Sequence, residues 1–266
     1  MEELGLPLIG TAFAGASPYS NCFLVTKTCV QSSSIEELEK NLQGNIIVSG
    51  AAAAELEKRG LGRYIGNVHA ELQRAVAQDT FIEHRFCQGY EKLKYHAMGE
   101  TIYFFRFMDS PAFEVVTRFR NKDGEDFGAG TLLMTRPDGT RVALIGCNFG
   151  SHALSSGRAA LLNRIANWVS HEKLPIMLEE PGQMLLLPRI SADGTLRNVT
   201  IINPTICPQK EIALLLKRIP EHVKTVKWFI PASTPAELTV QRKDSCCRII
   251  IPELAAWNVG FIEFES

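Results

Sequence analysis

The segment NIIVSGAAAAELEKRGLGRYIG, which begins at Asn45, constrains the fold of this chain more than any other stretch. Its first four residues form a short apolar, β-branched run that is typical of a strand buried on both faces. Ser49 and Gly50 interrupt this run, and Ala51–Arg59 consists of strong helix formers. Gly60 follows at the position where helices commonly end in a left-handed cap. A strand, a tight turn and a capped helix in succession predict one unit of an α/β sheet.

The length and charge of the chain limit the classes of protein to which it can belong. At 266 residues it is long enough for two domains of ordinary size. Its 45% hydrophobic and 21% charged content is normal for a globular protein in water. The net charge of −1 gives no reason to expect nucleic acid or an acidic membrane surface as a partner. No apolar run approaches the roughly 18 residues of a membrane span, so we expect no membrane partner.

The N-terminal residues and the cysteines both indicate a cytoplasmic protein. Glu2 and Glu3 stand where a signal peptide would carry lysine or arginine. The seven cysteines form an odd set without repeated spacing, which favours reduced, mostly buried thiols over a disulfide framework. Met1–Leu8 has the pattern of a last helical turn that leads into a strand. We therefore expect the α/β domain to lack its first βα unit.

The small-residue loop Gly10–Asn21 has the composition of a phosphate-binding turn but not its spacing. Its two glycines, Gly10 and Gly15, fit neither the dinucleotide-binding fingerprint nor the P-loop. We therefore predict no nucleotide and no other cofactor.

A second helix is predicted after the serine run that ends at Ser34. Either Ser33 with Glu36 or Ser34 with Glu37 has the offset of a capping box, in which each side chain bonds the other residue's backbone N–H. The helix is expected to run to Leu42.

The middle of the chain is rich in predicted strands, which we expect to complete the sheet. Turn residues separate them at Asn121–Gly124 and Pro137–Gly139. A helix is then predicted from Ser156 through Ser170, with its apolar residues on one stripe. Trp168 belongs to that stripe, so we interpret it as a core residue.

The residues after Ile176 predict an all-β sandwich of about 90 residues, because short strands recur with turns such as Asp193-Gly194 between them. Leu214–Leu216 is a competing helix signal, which we set aside because Pro220 ends the run. The predicted domains are residues 1–174, an α/β domain, and residues 175–266, the β-sandwich.

Several segments resemble one known group of proteins. Gly50–Gly66 resembles a run found in large bacterial glycoside hydrolases of the β-galactosidase-like type, in a flavodoxin-like domain of the class I glutamine-amidotransferase kind. Arg141–Gly146 and Ser156–Trp168 are similar to the final strand and helix of that domain. The sequences at Asn203 and at Leu254–Trp257 look like parts of the small β domain that closes such proteins.

The resemblance implies a flavodoxin-like α/β domain followed by a β-sandwich, without a catalytic role. In such relatives the catalytic carboxylates lie on an upstream barrel, and a barrel of this kind takes roughly 200 residues or more. The implied function is that of a structural, oligomerisation or substrate-groove module in a carbohydrate-active protein. The implied partners are an upstream catalytic barrel or a second copy of the chain, and carbohydrate.

Ser49 is the candidate nucleophile of an alternative, enzymatic interpretation. Amidotransferases and related hydrolases place a cysteine or serine on a strained turn between strand and helix, and Ser49 occupies such a turn. Ile47 stands where the glycine that lets this turn bend would be expected. The simpler interpretation is that Ser49 is a small residue in a tight turn.

Two His/Cys pairs are close in sequence, His84 with Cys87 and Cys147 with His152. A structural zinc site usually needs four ligands in two clustered pairs, so these single pairs predict no metal. Adjacent strand residues point to opposite faces, which also separates Cys246 from the next cysteine, Cys247.

The neighbouring carboxylates occur in turns, where solvated acidic residues are common, and they predict no glycosidase pair. They are Glu179 with Glu180, and Asp123 with Glu125 and Asp126. Trp228 and Trp257 are candidates for stacking on a sugar ring, against the alternative of a buried sandwich anchor or a domain-interface role.

Three hypotheses therefore remain open, and the structure can distinguish them. A structural module should expose an apolar patch. A hydrolase or amidotransferase-like enzyme needs His84, His96 or His152 within hydrogen-bond reach of a thiol or hydroxyl. A carbohydrate-binding module needs exposed aromatic rings.

Overall fold

The computed structural model describes residues 22–74, 78–91, 94–96, 101–108, 110–147, 156–180, 182, 184–243 and 246–264. The expectations for Met1–Leu8 and for the loop Gly10–Asn21 lie outside these residues.

The helices and strands of the described residues are numbered in chain order. The helices are α1 (Lys27–Ser32), α2 (Ile35–Leu42), α3 (Gly50–Lys58) and α4 (Ser156–Val169). The strands up to residue 145 are β1 (Cys22–Val25), β2 (Asn45–Ser49), β3 (His69–Gln73), β4 (Gln78–Phe81), β5 (Lys94–His96), β6 (Ile102–Arg106), β7 (Phe113–Arg120), β8 (Asp126–Thr135) and β9 (Arg141–Ile145). The later strands are β10 (Ile176–Leu178), β11 (Leu185–Ile190), β12 (Leu196–Ile202), β13 (Gln209–Leu216), β14 (Thr225–Phe229), β15 (Ala236–Thr239), β16 (Gln241–Lys243), β17 (Cys246–Leu254) and β18 (Val259–Glu263).

The first sheet is mixed, and this overturns the predicted flavodoxin-like fold. Its nine strands run in the order β1-β2-β9-β8-β7-β4-β5, with β6 pairing β3 and β8. In the described part of the sheet, parallel pairing occurs between β1 and β2 and between β2 and β9. Strands make up 44% and helices 20% of the structure, and the sheet curls into a half-barrel.

The correction has a topological cause. A flavodoxin-like sheet needs a helical crossover between successive parallel strands. Between β2 and β9 the described chain instead forms the antiparallel strands β3 to β8. Register shifts occur where β7 pairs β8, and such irregularities bend a strand and increase its twist. The strand-rich middle of the chain therefore makes up most of the sheet.

The local predictions around the central unit are confirmed. Strand β2 is buried along Asn45–Val48, and α3 follows it directly. Gly60 ends this unit in the left-handed conformation, with φ 73°. At the start of α2, Ser34 and Glu37 form the capping box, with Glu37 N–H to Ser34 Oγ at 3.2 Å.

Helix α4 covers one face of the first sheet. Leu162, Ile165 and Val169 are buried in the core there, as the predicted stripe requires. Trp168 is 8% exposed and packs 6.0 Å from the Phe86 ring, measured between ring centroids. Trp168 is therefore a core residue, as predicted.

The C-terminal residues form two antiparallel sheets that share one core, so the predicted β-sandwich is supported. One sheet has the order β10-β13-β17-β16 and the other β11-β12-β18-β14-β15. Leu214 and Leu216 belong to strand β13 and are fully buried in that core, and the competing helix does not form.

The two parts of the molecule are joined by polar contacts near the end of α4. The Lys217 ammonium, just after β13, donates to the Glu172 carbonyl and to Asn167 Oδ1. The domain boundary between residues 174 and 175 stays a prediction.

Candidate functional site

A pocket of about 290 Å³ lies at the carboxyl ends of the three parallel strands. This strand-end pocket is where ligands bind in many open sheets with parallel strands. Its polar wall includes Thr26, Lys27, Ser49, Tyr103 and Cys147.

Ser49 lies in the strand-end pocket as the N-cap of α3. Its hydroxyl oxygen accepts the Ala52 N–H at 3.3 Å, which satisfies one of the backbone donors at the start of the helix. This contact accounts for a small polar residue at the turn. Among the described lining residues there is no histidine, aspartate or glutamate to act as a base.

Gly146 closes the wall of the strand-end pocket. Its carbonyl accepts the Tyr103 N–H at 2.9 Å, so the end of β9 lies against β6. A Cβ at Gly146 would come within 1.9 Å of the Tyr103 carbonyl oxygen. Cys147, the next residue, is 3% exposed. Its sequence partner His152 lies outside the described residues, so this pair is not tested.

His84 and Cys87 lie on one 3-10 turn but do not form a nucleophile–base pair. The Phe86 N–H donates to His84 Nδ1 at 3.2 Å, so the proton is on Nε2, which lies 3.2 Å from Glu114 Oε2. The Cys87 thiol donates to the Val116 carbonyl at 3.6 Å and is fully buried. Burial raises the pKa of Cys87 to about 11, which keeps it protonated. His96 is in β5, but its side chain lies outside the described part of the structure, so this candidate is not tested.

Several of the remaining polar candidates have structural partners. Glu179 Oε2 accepts from Arg248 Nε at 2.7 Å, and Asp126 pairs with Arg118 at 3.0 Å. Glu125 accepts from Asn121 Nδ2 at 2.7 Å in the hairpin turn. Adjacent Cys246 and Cys247 lie on opposite faces of β17, one half-buried and one buried. Within the described ranges, no three histidine, cysteine or acidic side chains are grouped to hold a metal ion.

The two tryptophans proposed for sugar contact have different environments. Trp228 is 3% exposed and packs over Gly260, where a Cβ would come within 1.7 Å of the indole. Trp228 is a core residue and cannot stack on a sugar ring. Trp257 is 70% exposed and has a left-handed backbone, with φ 55°.

The loop that carries Trp257 is anchored to the core by Asn203. This side chain is fully buried, and its Nδ2 donates to the carbonyls of Cys207 at 2.8 Å, Ala255 at 3.0 Å and Leu254 at 3.2 Å. Its Oδ1 accepts from the N–H and the hydroxyl of Thr205. One amide therefore ties together the chain segments that flank Trp257.

These anchored loops expose large apolar side chains to solvent. The Trp257 N–H donates to the Thr205 carbonyl at 3.2 Å, and the following residue, Ile206, is 78% exposed. We call Trp257 together with Ile206 the Trp257 platform. Large exposed apolar side chains on a well-tied loop are typical of an interaction site.

A groove of about 440 Å³ opens on the four-stranded sheet of the sandwich. Its polar lining comprises Glu179, Glu180, Gln209, Lys210, Glu211 and Arg248. Its apolar lining includes Ala213 and Ile250, which are neighbours in the pairing of β13 with β17. We call this feature the sandwich groove.

The Asn203 anchor and the sandwich groove were missed by the sequence reasoning. The polar groove residues come from three segments, around residues 179, 209 and 248, which approach only when β10, β13 and β17 pair. The Asn203-Pro-Thr sequence carries part of the resemblance described above, but nothing local to it indicates that the amide is fully buried.

Among the described residues, no helix has the length and apolar content that crossing a membrane requires.

Comparison with known proteins gives a distant likeness in fold. No family model matches the sequence, and no curated protein matches it. The structure is similar to that of the alpha-L-fucosidase isoenzyme 2 from Paenibacillus thiaminolyticus, with a TM-score of 0.57 and 13% sequence identity. The match covers 94% of this chain and 42% of the fucosidase. This chain therefore spans less than half of the length of the protein that it resembles, and at this identity the likeness concerns the fold.

Proposed function

We propose that this chain is a non-catalytic accessory module of a larger carbohydrate-active protein and that it contacts saccharide through Trp257. The observation that carries the proposal is the exposure of Trp257, at 70%, on a loop that the buried Asn203 amide holds in place.

The chemistry of the indole ring supports a saccharide ligand. One face of a sugar ring consists of C–H groups and stacks on an aromatic face, while its hydroxyls need polar partners at the edge. Tryptophan supplies a large apolar face with one N–H donor, and it is enriched at binding hot spots. Because the loop is already ordered by the hydrogen bonds of Asn203, little conformational entropy is lost when a ligand binds.

The likeness in fold to the fucosidase supports the part of the proposal that places this chain in a larger protein. The fucosidase that shares this fold is more than twice as long as the matched region, since the match covers 42% of it. We infer that the present chain acts beside a catalytic region of a larger protein, with that region and saccharide as its partners.

Saccharide binding can be tested through tryptophan fluorescence. Trp168 and Trp228 are buried, so a change caused by a ligand at the surface reports on Trp257. We expect a saturable change in tryptophan fluorescence with at least one member of a panel of uncharged oligosaccharides built from fucose, galactose, glucose, mannose or xylose. The variant Trp257→Ala should lose binding by at least tenfold, which is 1.4 kcal/mol, while Trp257→Phe should keep part of it. No saturable signal with any sugar would contradict the proposal.

The non-catalytic part of the proposal has its own test. The chain is incubated with aryl glycosides, and release of the aryl group is measured. We expect no turnover. Turnover that Ser49→Ala or Cys147→Ala abolishes would overturn this part and favour the enzyme alternative.

Self-association is a second candidate function, which the exposure of Ile206 next to Trp257 favours. Analytical ultracentrifugation of the wild-type chain and of Ile206→Asp tests whether the chain self-associates through this surface. A dimer that Ile206→Asp dissociates would assign the surface to a second copy of the chain.

A further inference from the structure

We propose that the sandwich groove binds a short, uncharged oligosaccharide that extends onto the Trp257 platform. This inference rests on the proposed function and identifies the part of the site that Trp257 alone does not supply.

The groove has the dimensions of a small-ligand site. Its volume of about 440 Å³ falls within the range of about 300–1,000 Å³ that such sites occupy. It is built largely on two paired strands, β13 and β17, which hold side chains more rigidly than loops do.

The groove and the Trp257 platform share a hydrogen-bonded connection. Gln209, which lines the groove, donates from Nε2 to Thr205 Oγ1 at 3.3 Å. The carbonyl of Thr205 in turn accepts the backbone N–H of Trp257 at 3.2 Å. Because Thr205 contacts both Gln209 and the backbone of Trp257, the groove and the loop that carries Trp257 lie at the same end of the sandwich. A ligand in the groove can therefore continue onto Trp257.

The groove lining suits the two kinds of surface that a sugar presents. Ala213 and Ile250 are register neighbours on β13 and β17, and Ile250 is 36% exposed. They offer an apolar surface to the C–H face of a ring. In the described part of the chain, Glu180 and Glu211 have no ion-pair partner. Their carboxylates are free to accept hydrogen bonds from sugar hydroxyls.

The charges of the groove disfavour an acidic ligand. Its lining carries three carboxylates, on Glu179, Glu180 and Glu211, against two cations, on Lys210 and Arg248. The Arg248 guanidinium is already paired with Glu179 at 2.7 Å. The negative groups of an acidic glycan would lie beside the unpaired carboxylates of Glu180 and Glu211, and the Arg248 guanidinium is already paired. Because like charges repel, such a ligand would bind poorly.

Glu211 is held in an unfavourable backbone conformation at the groove. Its φ is 50°, in the left-handed region that non-glycine residues adopt at a cost, although it lies within strand β13. The register of β13 with β17 passes from Lys210 opposite Glu253 to Ile212 opposite Ile251, and Pro252, which has no N–H to donate, lies between these two partners. Such strain persists where surrounding structure imposes it, and it is concentrated at binding sites.

The test is calorimetric titration with gluco-, xylo-, manno- and galacto-oligosaccharides of one to six rings. Polygalacturonate is the acidic comparator and chitosan oligomers are the cationic one. The groove variants are Glu180→Gln and Ile250→Arg, the latter placing a long side chain in the groove. The matched control is Glu221→Gln, an exposed glutamate that lines a different surface depression. Thermal unfolding of each variant shows whether it is folded.

We expect affinity to rise with chain length beyond one ring, and each groove variant to lose at least fivefold in affinity while Glu221→Gln changes it less than twofold. If Trp257→Ala abolishes binding but both groove variants bind as the wild type does, the groove proposal is overturned and the proposed function stands. If only polygalacturonate or only chitosan binds, the assignment of an uncharged ligand is overturned. If no saccharide binds the wild type, both proposals fall.

Discussion

Arg158 Nε donates to Asp79 Oδ2 over 3.2 Å, and the two side chains are 4% and 3% exposed. This ion pair joins the start of α4 to strand β4 in the core of the first sheet. A charge in such a place is stable only while its partner is present, because removing it from water is costly.

We expect Asp79→Ala to lower the free energy of unfolding by about 3–5 kcal/mol, since it leaves the Arg158 guanidinium buried without its carboxylate. The double variant Asp79→Leu with Arg158→Met should cost less than Asp79→Ala alone. Denaturant unfolding monitored by circular dichroism measures both. The control is Glu71→Gln, which breaks the exposed pair with Arg106 and should cost about 0–1 kcal/mol. Equal losses for Asp79→Ala and Glu71→Gln would contradict the prediction.

We expect Gly260→Ala to destabilise the sandwich by about 1–3 kcal/mol, because the added Cβ would come within 1.7 Å of the Trp228 indole. Trp228→Phe removes part of that indole and should recover some of the loss when it is combined with Gly260→Ala. A double-mutant cycle from denaturant unfolding measures the coupling between the two positions. Additive losses would show that the alanine is accommodated elsewhere.

We expect Asn203→Ala to cost about 2 kcal/mol or more, because the carbonyls of Cys207, Leu254 and Ala255 lose a donor and that of Leu254 is buried. The loss should be accompanied by faster amide exchange in the loops that flank Trp257. Hydrogen exchange followed by mass spectrometry measures it. An unchanged exchange rate in residues 255–258 would mean that other contacts hold the Trp257 loop.

We expect Glu211→Gly to raise the free energy of unfolding by about 0.5–1 kcal/mol, because glycine adopts a positive φ without steric cost. Saccharide affinity should fall at the same time, since the variant lacks the carboxylate. The control Glu237→Gly, in β15, has no positive φ to relieve and should destabilise by about 0.5–1 kcal/mol. Calorimetry provides both quantities. Destabilisation by Glu211→Gly would show that the strand needs a side chain there.

We expect the Asp193 carboxyl to titrate well below an ordinary aspartate. The Ser191 hydroxyl and the Thr195 N–H donate to it and lower its pKa to about 2. Because the folded pKa lies below the unfolded value of about 3.9, the stabilising contribution is present above the unfolded pKa and is lost as the pH falls towards 2. Carbon-detected NMR titration measures the pKa, and Ser191→Ala should raise it. A normal pKa in the wild type would contradict the prediction.

Much of the local structure could be predicted because it depends on neighbouring residues. Strand β2, helix α3 and the Gly60 cap follow from propensity and from the freedom of glycine at positive φ. The capping box of Ser34 and Glu37 follows from a three-residue offset.

The architecture of the first sheet could not be predicted in the same way. A strand's sequence shows that it is extended but not which strand it pairs with or in which direction. The flavodoxin-like interpretation extended the parallel unit around β2 to the whole sheet, whereas β3 to β8 pair antiparallel. These pairings are contacts between residues far apart in the chain.

For the candidate site too, one part could be predicted from the sequence and another depended on the tertiary structure. The sequence alone determined that Trp228 and Trp257 lie in a strand-rich, turn-rich region, and it identified both as candidates without distinguishing them. Only the tertiary structure decided that Trp228 packs over Gly260 and that Trp257 faces solvent on the loop anchored by Asn203. The physical reason is that burial is a property of the packed chain: an indole is core or surface according to what other segments bring against it.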